Sequence, residues 1–138
     1  MTTTAYQDVA SRYMSDTVET SGPGKLIVML YDQLLADLAT ADAAFETGGI
    51  ETIHRNLMHA WEMLRYMRQM LNQTIWDGAT NLATLYTYFE TEIMFANLHK
   101  DRARAQHVYG LISQLADAWR IAAERPVEYG ATDAVGVG

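Results

Sequence analysis

The residues of this chain that come nearest to a metal-binding pattern are Glu51 and His54, which stand three positions apart. On a helix this spacing places a carboxylate and an imidazole on one face, which is half of the ligand set of a di-iron carboxylate bundle. The other half is missing, because the sequence contains no second Glu-x-x-His. A carboxylate in the first turn of a helix is stabilised by the helix dipole, and this is our interpretation of Glu51. We therefore predict no metal site.

A competing hypothesis keeps these side chains functional. In it the protein is a metal-binding or small-ligand-binding helical bundle in which Glu51, His54 and His59 take part, and a homodimer completes the ligands. It predicts that iron or zinc raises the stability of the folded chain, because a ligand that binds only the folded state stabilises that state. A homo-oligomer is not otherwise indicated by the sequence.

Catalytic motifs are not evident elsewhere in the sequence. His59, His99 and His107 show no repeated ligand spacing, and there is neither a His-Glu-x-x-His nor a serine in a nucleophile elbow. Gly22-Pro23-Gly24 resembles a phosphate-binding glycine loop, but proline lacks the amide hydrogen that a phosphate would need. We predict a protein that is not an enzyme and binds no cofactor.

Composition and net charge exclude several kinds of binding partner. The chain has 138 residues, 49% of them apolar, which is a size and composition typical of one globular domain. Its net charge of -7 argues against a nucleic-acid partner, since a phosphate backbone would be repelled. No apolar run approaches the length of a membrane span, and the first residues lack the basic and apolar blocks of a secretory signal. We expect a cytoplasmic protein that does not insert into membranes.

The part of the chain between its two prolines, Pro23 and Pro126, shows the periodicity of α-helices. Apolar residues recur there at steps of three and four. The predicted helices run from Pro23 to Gly48, from Ile50 to Ile75, from Asn81 to Leu98, and from Asp101 toward Pro126. In the first helix the predicted core stripe is Ile27, Leu30, Leu34, Leu38, Ala41 and Phe45. Short connections make consecutive helices antiparallel, so we predict an all-α fold, an antiparallel up-and-down four-helix bundle over residues 21–125.

Two segments lie outside the predicted bundle. Residues 1–20 form an arm in which Tyr6, Val9 and Tyr13 share one face of a short helix. A helix this short is marginal in water, so we predict that it docks on the bundle and can detach. Residues 126–138 have no period and end in glycines, and we predict a disordered tail.

The sequence is rich in methionine and tyrosine, with eight of each. Many of them fall beside the predicted core stripes: Met29, Tyr31, Met58, Met63, Tyr66, Met70, Tyr86 and Tyr88. Both residue types suit a groove that receives a partner helix, because methionine is flexible and tyrosine has a large apolar body with a polar tip. Core filling explains the same pattern and is the more common role for such side chains. The sequence leaves both explanations open.

Several short motifs occur in a distinctive order along the chain. They are Ala5-Tyr6-Gln7, then Gly22-Pro23-Gly24-Lys25-Leu26 with Met29-Leu30-Tyr31-Asp32, then Asn81-Leu82 with Leu85-Tyr86 and Tyr88, then Ala96-Asn97-Leu98 with Lys100-Asp101, and finally Trp119. In this order they resemble the FliS family of flagellar export chaperones over about residues 5–125. Two positions depart from the family's usual residues, since Gly22 stands where serine is usual and Gln33 where glycine is usual.

The resemblance implies a chaperone that binds the disordered C-terminal segment of flagellin and prevents its premature polymerisation. It also implies delivery of that client to a flagellar type III export-gate protein. The arm residues Tyr6, Val9 and Tyr13 would cover apolar surface that flagellin later occupies. The body of the client surface, or its immediate support, would comprise Leu30, Tyr31, Met58, Trp61, Leu85, Tyr86 and Asn97. An adaptor for another disordered client would leave the same pattern in the sequence.

Overall fold

Four α-helices make up the described part of the protein. The computed structural model describes residues 23–71 and 77–124. The helices are α1, Pro23–Thr47; α2, Ile50–Leu71; α3, Asp77–His99; and α4, Arg102–Ala123. The predicted all-α four-helix bundle is confirmed. The predictions for the arm, residues 1–20, and for the tail, residues 126–138, concern residues outside the described ranges.

Local chemistry explains most of the helix ends. Gly48 follows α1 with a φ of 72°, a conformation that glycine adopts without a steric penalty. Asp101 begins α4 as predicted, because its carboxylate accepts a hydrogen bond from the Arg104 amide at 3.1 Å. The predicted start of the third helix at Asn81 is wrong, since α3 already begins at Asp77. Gly78 lies in the first turn of α3, where one glycine costs only about 1 kcal/mol of helix stability and does not prevent the helix.

The helices form a ring in which each packs on two neighbours. α1 packs on α2 and α4, and α3 packs on the same two helices, so that α1 and α3 lie across a diagonal. A polar pair joins each neighbouring couple: Asp37–His59, Arg68–Glu90, Arg104–Glu92 and Arg102–Asp42. These pairs lie at the edges of the helices, so they set the order of the helices around the apolar core.

The core stripe of α1 differs from the predicted one at two positions, since Tyr31 is buried where Leu30 was predicted and Ala44 is buried where Phe45 was predicted. Tyr31 is fully buried, whereas Leu30 is only partly buried at the edge of the core. Tyr86 replaces Leu85 in the same way on α3. The placement of Tyr31 and Tyr86 beside the core was therefore wrong. Helical spacing admits both stripes, because steps of three and four run equally well through either residue of each pair.

Candidate functional site

The outer face of α3 is long and exposed, and its own side chains are uncharged, although the Arg104 guanidinium of α4 lies over the Phe95 ring at 3.8 Å from its centre. Between Gly78 and Leu98 the only charged residues are Glu90 and Glu92, and both turn to the sides to bond arginines of the neighbouring helices. The exposed side chains of this face are Thr80, Thr84, Thr87, Thr91, Tyr88, Phe95 and Leu98. Leu98 is 71% exposed, the highest value among the large apolar side chains in the described ranges. A helix surface without charge is typical of a surface that packs against something.

The threonines make this face less polar than their type suggests. The Thr84 hydroxyl donates to the Thr80 carbonyl at 3.0 Å, and the Thr91 hydroxyl donates to the Thr87 carbonyl at 3.0 Å. A hydroxyl bonded back to its own helix leaves the methyl group facing outward. The outer face of α3 therefore presents methyl groups and aromatic rings to an incoming partner.

Helices α2 and α3 pack together beside this face, and we call the line along which they meet the α2–α3 groove. Two cross-helix bonds define the edge of α2 that faces α3: Asn97 with His54 at 2.9 Å, and Arg68 with Glu90 at 2.7 Å. Met58, Trp61 and Arg65 fall on the same edge between these bonds, since they follow His54 by four, seven and eleven positions. Met58 and Trp61 are half-buried, and the Arg65 guanidinium lies 5.0 Å from the centre of the Trp61 ring.

The groove opens at one end into a cleft of about 730 Å³. Its lining combines small and apolar side chains with a single charged one: Arg68, Leu71, Ala79, Thr80, Ala83, Thr84, Thr87 and Tyr88. The hydrogen bonds that Arg68 donates to Glu90 raise the pKa of Arg68 above its ordinary value, so this guanidinium stays charged and its charge is balanced by Glu90. The cleft therefore has room for an apolar side chain. Filling it would not remove an unpaired charge from water, because Arg68 is paired with Glu90.

Three of the residues predicted for the client surface meet in this groove. Met58 and Trp61 form its α2 edge, and Asn97 lies at its base, buried to 3% exposure. Asn97 also accepts a hydrogen bond from the Lys100 ammonium at 2.8 Å, which holds the turn after α3. Because Asn97 is buried, it can support the groove but cannot offer surface to a client.

The other predicted residues lie elsewhere. Leu30 is on the edge of α1 that faces α2, seven positions before Asp37, and Leu85 is on the edge of α3 that faces α4, seven positions before Glu92. Tyr31 and Tyr86 are in the core, so any part they take in binding is that of support. Tyr6, Val9 and Tyr13 lie outside the described residues. The structure thus does not gather the predicted residues at one place.

Sequence reasoning missed the threonine face, although a signal for it was present. Thr84, Thr87 and Thr91 were passed over because threonine is polar by type. The absence of lysine and arginine from the whole of α3 is visible in the sequence. A second exposed apolar patch, Leu26, Met29 and Tyr66, lies where α1 and α2 adjoin and accounts for part of the methionine and tyrosine surplus.

Two of the histidines bond residues of neighbouring helices. His54 bonds Asn97 of α3, whereas His59 bonds Asp37 of α1, so these two imidazoles occupy opposite edges of α2. Over residues 23–71 and 77–124 no three side chains of His, Cys, Asp or Glu come together in a way that could hold a metal ion. Nor does any helix in these ranges have the length and apolar character needed to cross a membrane.

Known proteins resemble this chain over nearly its whole length. A family model described as "Flagellar protein FliS" matches residues 5–126. A protein of Bacillus subtilis named "Flagellar secretion chaperone FliS" is 28% identical over 128 residues, covering 91% of this chain and 96% of its own length. Proteins with the same name from Salmonella typhimurium and Escherichia coli are 30% identical over 118 residues and 27% identical over 120 residues. They cover 84% and 86% of this chain, and 85% and 86% of their own lengths.

Proposed function

The chain belongs to the FliS family of flagellar secretion chaperones, and from this premise we propose that it binds the C-terminal segment of flagellin. Binding of this segment keeps flagellin monomeric in the cytosol, and the flagellin is then delivered to an export-gate protein of the flagellar secretion apparatus. The chain acts as a chaperone and not as an enzyme.

The observation that supports this proposal is the uncharged outer face of α3 beside the α2–α3 groove. A disordered segment that folds into an amphipathic helix on binding buries its apolar side against such a surface. The groove supplies half-buried anchors, Met58 and Trp61, and the cleft beside Arg68 supplies room for an apolar side chain. The methyl groups of Thr84 and Thr91 on the face of α3 add contact area at little desolvation cost, since the hydroxyls of these two residues are already bonded.

Residues 1–20 have a part in the same proposal. Tyr6, Val9 and Tyr13 cover apolar surface of the bundle in the free protein and leave it when the client binds. An arm of low intrinsic stability is suited to this exchange, because a short helix releases its contacts at a small cost in free energy.

A calorimetric titration tests the function. The full chain is titrated with the C-terminal segment of flagellin, about 40 to 50 residues long, at several temperatures. We expect a one-to-one complex with a large negative heat-capacity change, since coupled folding and binding buries much apolar surface. If flagellin from the same organism gives neither heat nor a complex, the proposal is wrong. A titration with other disordered flagellar proteins would then test the adaptor hypothesis.

A further inference from the structure

Arg65, like Arg55 of the same helix, differs from the arginines that form ion pairs between and along the helices. Arg68, Arg102, Arg104 and Arg120 each lie within salt-bridge distance of a carboxylate. Arg65 is exposed and makes no ion pair with any carboxylate of the described residues. Its guanidinium lies over the ring of Trp61, 5.0 Å from the ring centre. The edge of the groove therefore carries a cation that no carboxylate of the described residues approaches to within salt-bridge distance.

Arg65 lies where its charge can contact a segment bound in the groove. Arg65 is three positions before Arg68 and eleven after His54, and both of those side chains bond α3. The α3 surface opposite offers it no carboxylate: Glu90 is bonded twice by Arg68, at 2.7 and 3.2 Å, and the exposed residues between Glu90 and Asn97 are Thr91 and Phe95. The same groove is otherwise neutral, so a single charged contact there selects one orientation of the bound segment.

Trp61 makes Arg65 suited to binding a carboxylate. A guanidinium stacked on an indole ring is held in place, so less side-chain entropy is lost when it forms a further bond. Its planar edge remains able to donate two parallel hydrogen bonds to a carboxylate. Trp61 meanwhile provides an apolar floor beside that ion pair, and paired tryptophan and arginine side chains are frequent energetic centres of protein interfaces.

We infer that Arg65 binds an aspartate or glutamate of the client segment, and that this pair sets the segment's orientation in the α2–α3 groove. The inference rests on the proposed function and states the chemistry of its client. The bound segment carries a carboxylate on the side that faces α2 and uncharged side chains on the side that faces the threonines of α3. The overall charge of -7 strengthens the selection, because an acidic segment is repelled wherever no such cation meets it.

Affinity measurements on the full chain test this inference. The proteins are the wild type, Arg65→Gln, Arg65→Lys and Arg65→Glu, with Arg55→Gln as the matched control on an exposed part of the same helix. The probe is the C-terminal segment of flagellin, titrated at low and high salt. We expect Arg65→Gln to weaken binding about 5- to 20-fold at low salt, with a smaller effect for Lys and a larger one for Glu. Arg55→Gln is expected to bind as the wild type does.

Substitutions on the segment provide the second half of the test, and they need no change to the protein's fold. Each Asp and Glu of the segment is changed in turn to Asn or Gln and titrated against the wild type and Arg65→Gln. One substitution should weaken binding to the wild type and leave binding to Arg65→Gln unchanged, which identifies the paired carboxylate. If the wild type binds flagellin but Arg65→Gln binds it equally well at low salt, the inference is wrong and the proposed function stands. If the wild type does not bind flagellin, both are wrong.

Discussion

The hydroxyl groups of Tyr31 and Tyr86 lie 2.5 Å apart, at hydrogen-bond distance across the diagonal of the bundle. Both side chains are buried, and the Tyr31 ring also lies 5.8 Å from the ring of Trp119 on α4. This contact joins α1 directly to α3, two helices that are not neighbours in the ring. It fixes their separation and thereby supports the positions of the surfaces on either side of α3.

The tyrosine pair is expected to be energetically coupled. Tyr31→Phe and Tyr86→Phe should each destabilise the protein by about 1 kcal/mol, because each removes one partner of a buried hydrogen bond. The double variant should lose less than the sum of the two, since the bond between the two hydroxyls can be lost only once. Urea unfolding of the two single variants and the double variant measures this. Strict additivity would contradict the coupling.

Substitution by alanine should change the stability of the protein in opposite directions at two glycines. Gly48 has a φ of 72°, which is strained for alanine, so Gly48→Ala should destabilise the protein by about 1 kcal/mol. Gly110 lies within α4, and an added Cβ there would meet nothing within 4 Å. Gly110→Ala should therefore stabilise the protein by about 0.5 to 1 kcal/mol. Thermal unfolding of the two variants gives the comparison, and shifts of the same sign would show that one of these backbone arguments is wrong.

The Arg102–Asp42 pair should give a stability difference that depends on pH. Hydrogen bonds from Arg102 at 2.8 and 3.1 Å lower the pKa of Asp42 below its ordinary value of 3.8. A carboxyl whose pKa is lowered by folding stabilises the folded state above its unfolded pKa, and this stabilisation is lost as the pH falls through the folded pKa. Asp42→Asn should thus be slightly less stable than the wild type at pH 7, by an amount typical of a surface pair.

The difference between Asp42→Asn and the wild type should disappear in acid, once the pH is below the lowered pKa of Asp42. Urea unfolding at neutral pH and in acid measures it. Asp117→Asn is the control, because the Asp117 carboxylate is 67% exposed and lies 3.8 Å from Arg120. If the destabilisation by Asp42→Asn were unchanged in acid, ionisation of Asp42 would not be its cause.

A charge placed on the threonine face of α3 should disrupt client binding. Thr87 is exposed and lines the cleft, so Thr87→Arg is compatible with folding and puts a charge where the proposed segment packs. We expect about a tenfold or greater loss of affinity for the flagellin segment, because that charge would be desolvated without a partner. Thr40→Arg, on the exposed surface of α1, is the matched control. Equal affinities of the two variants, measured by calorimetry, would place the client elsewhere.

Removal of the arm should strengthen client binding. If Tyr6, Val9 and Tyr13 compete with flagellin for apolar surface, then deletion of residues 1–18 frees that surface and raises affinity. The same titration on the shortened chain measures the effect. Unchanged affinity would remove the arm from the mechanism, and reduced affinity would show that the arm contributes contacts to the complex.

Much of the fold was predictable because it depends on local spacing. The α1 start at Pro23, its end before Gly48 and the cap at Asp101 all follow from backbone preferences of single residues. The start of α3 at Asp77 was not predicted, since the effect of Gly78 is weak and the rest of the helix outweighs it. The candidate site was predictable only in part: Met58, Trp61 and Asn97 meet in one groove, while Leu30 and Leu85 lie on other edges.

The sequence by itself determined the four helices, their antiparallel order and the family, because these depend on periodicity, on turn residues and on motifs in a fixed order. Only the tertiary structure decided which side of each helix is covered. Leu30 and Tyr31 are equally acceptable core residues by spacing, and the choice is made by what faces them across the bundle, Tyr86 and Trp119. The same holds for the exposure of the threonines of α3, because it depends on packing between helices that are distant in sequence, whereas the bonds from the Thr84 and Thr91 hydroxyls to the preceding turn are local.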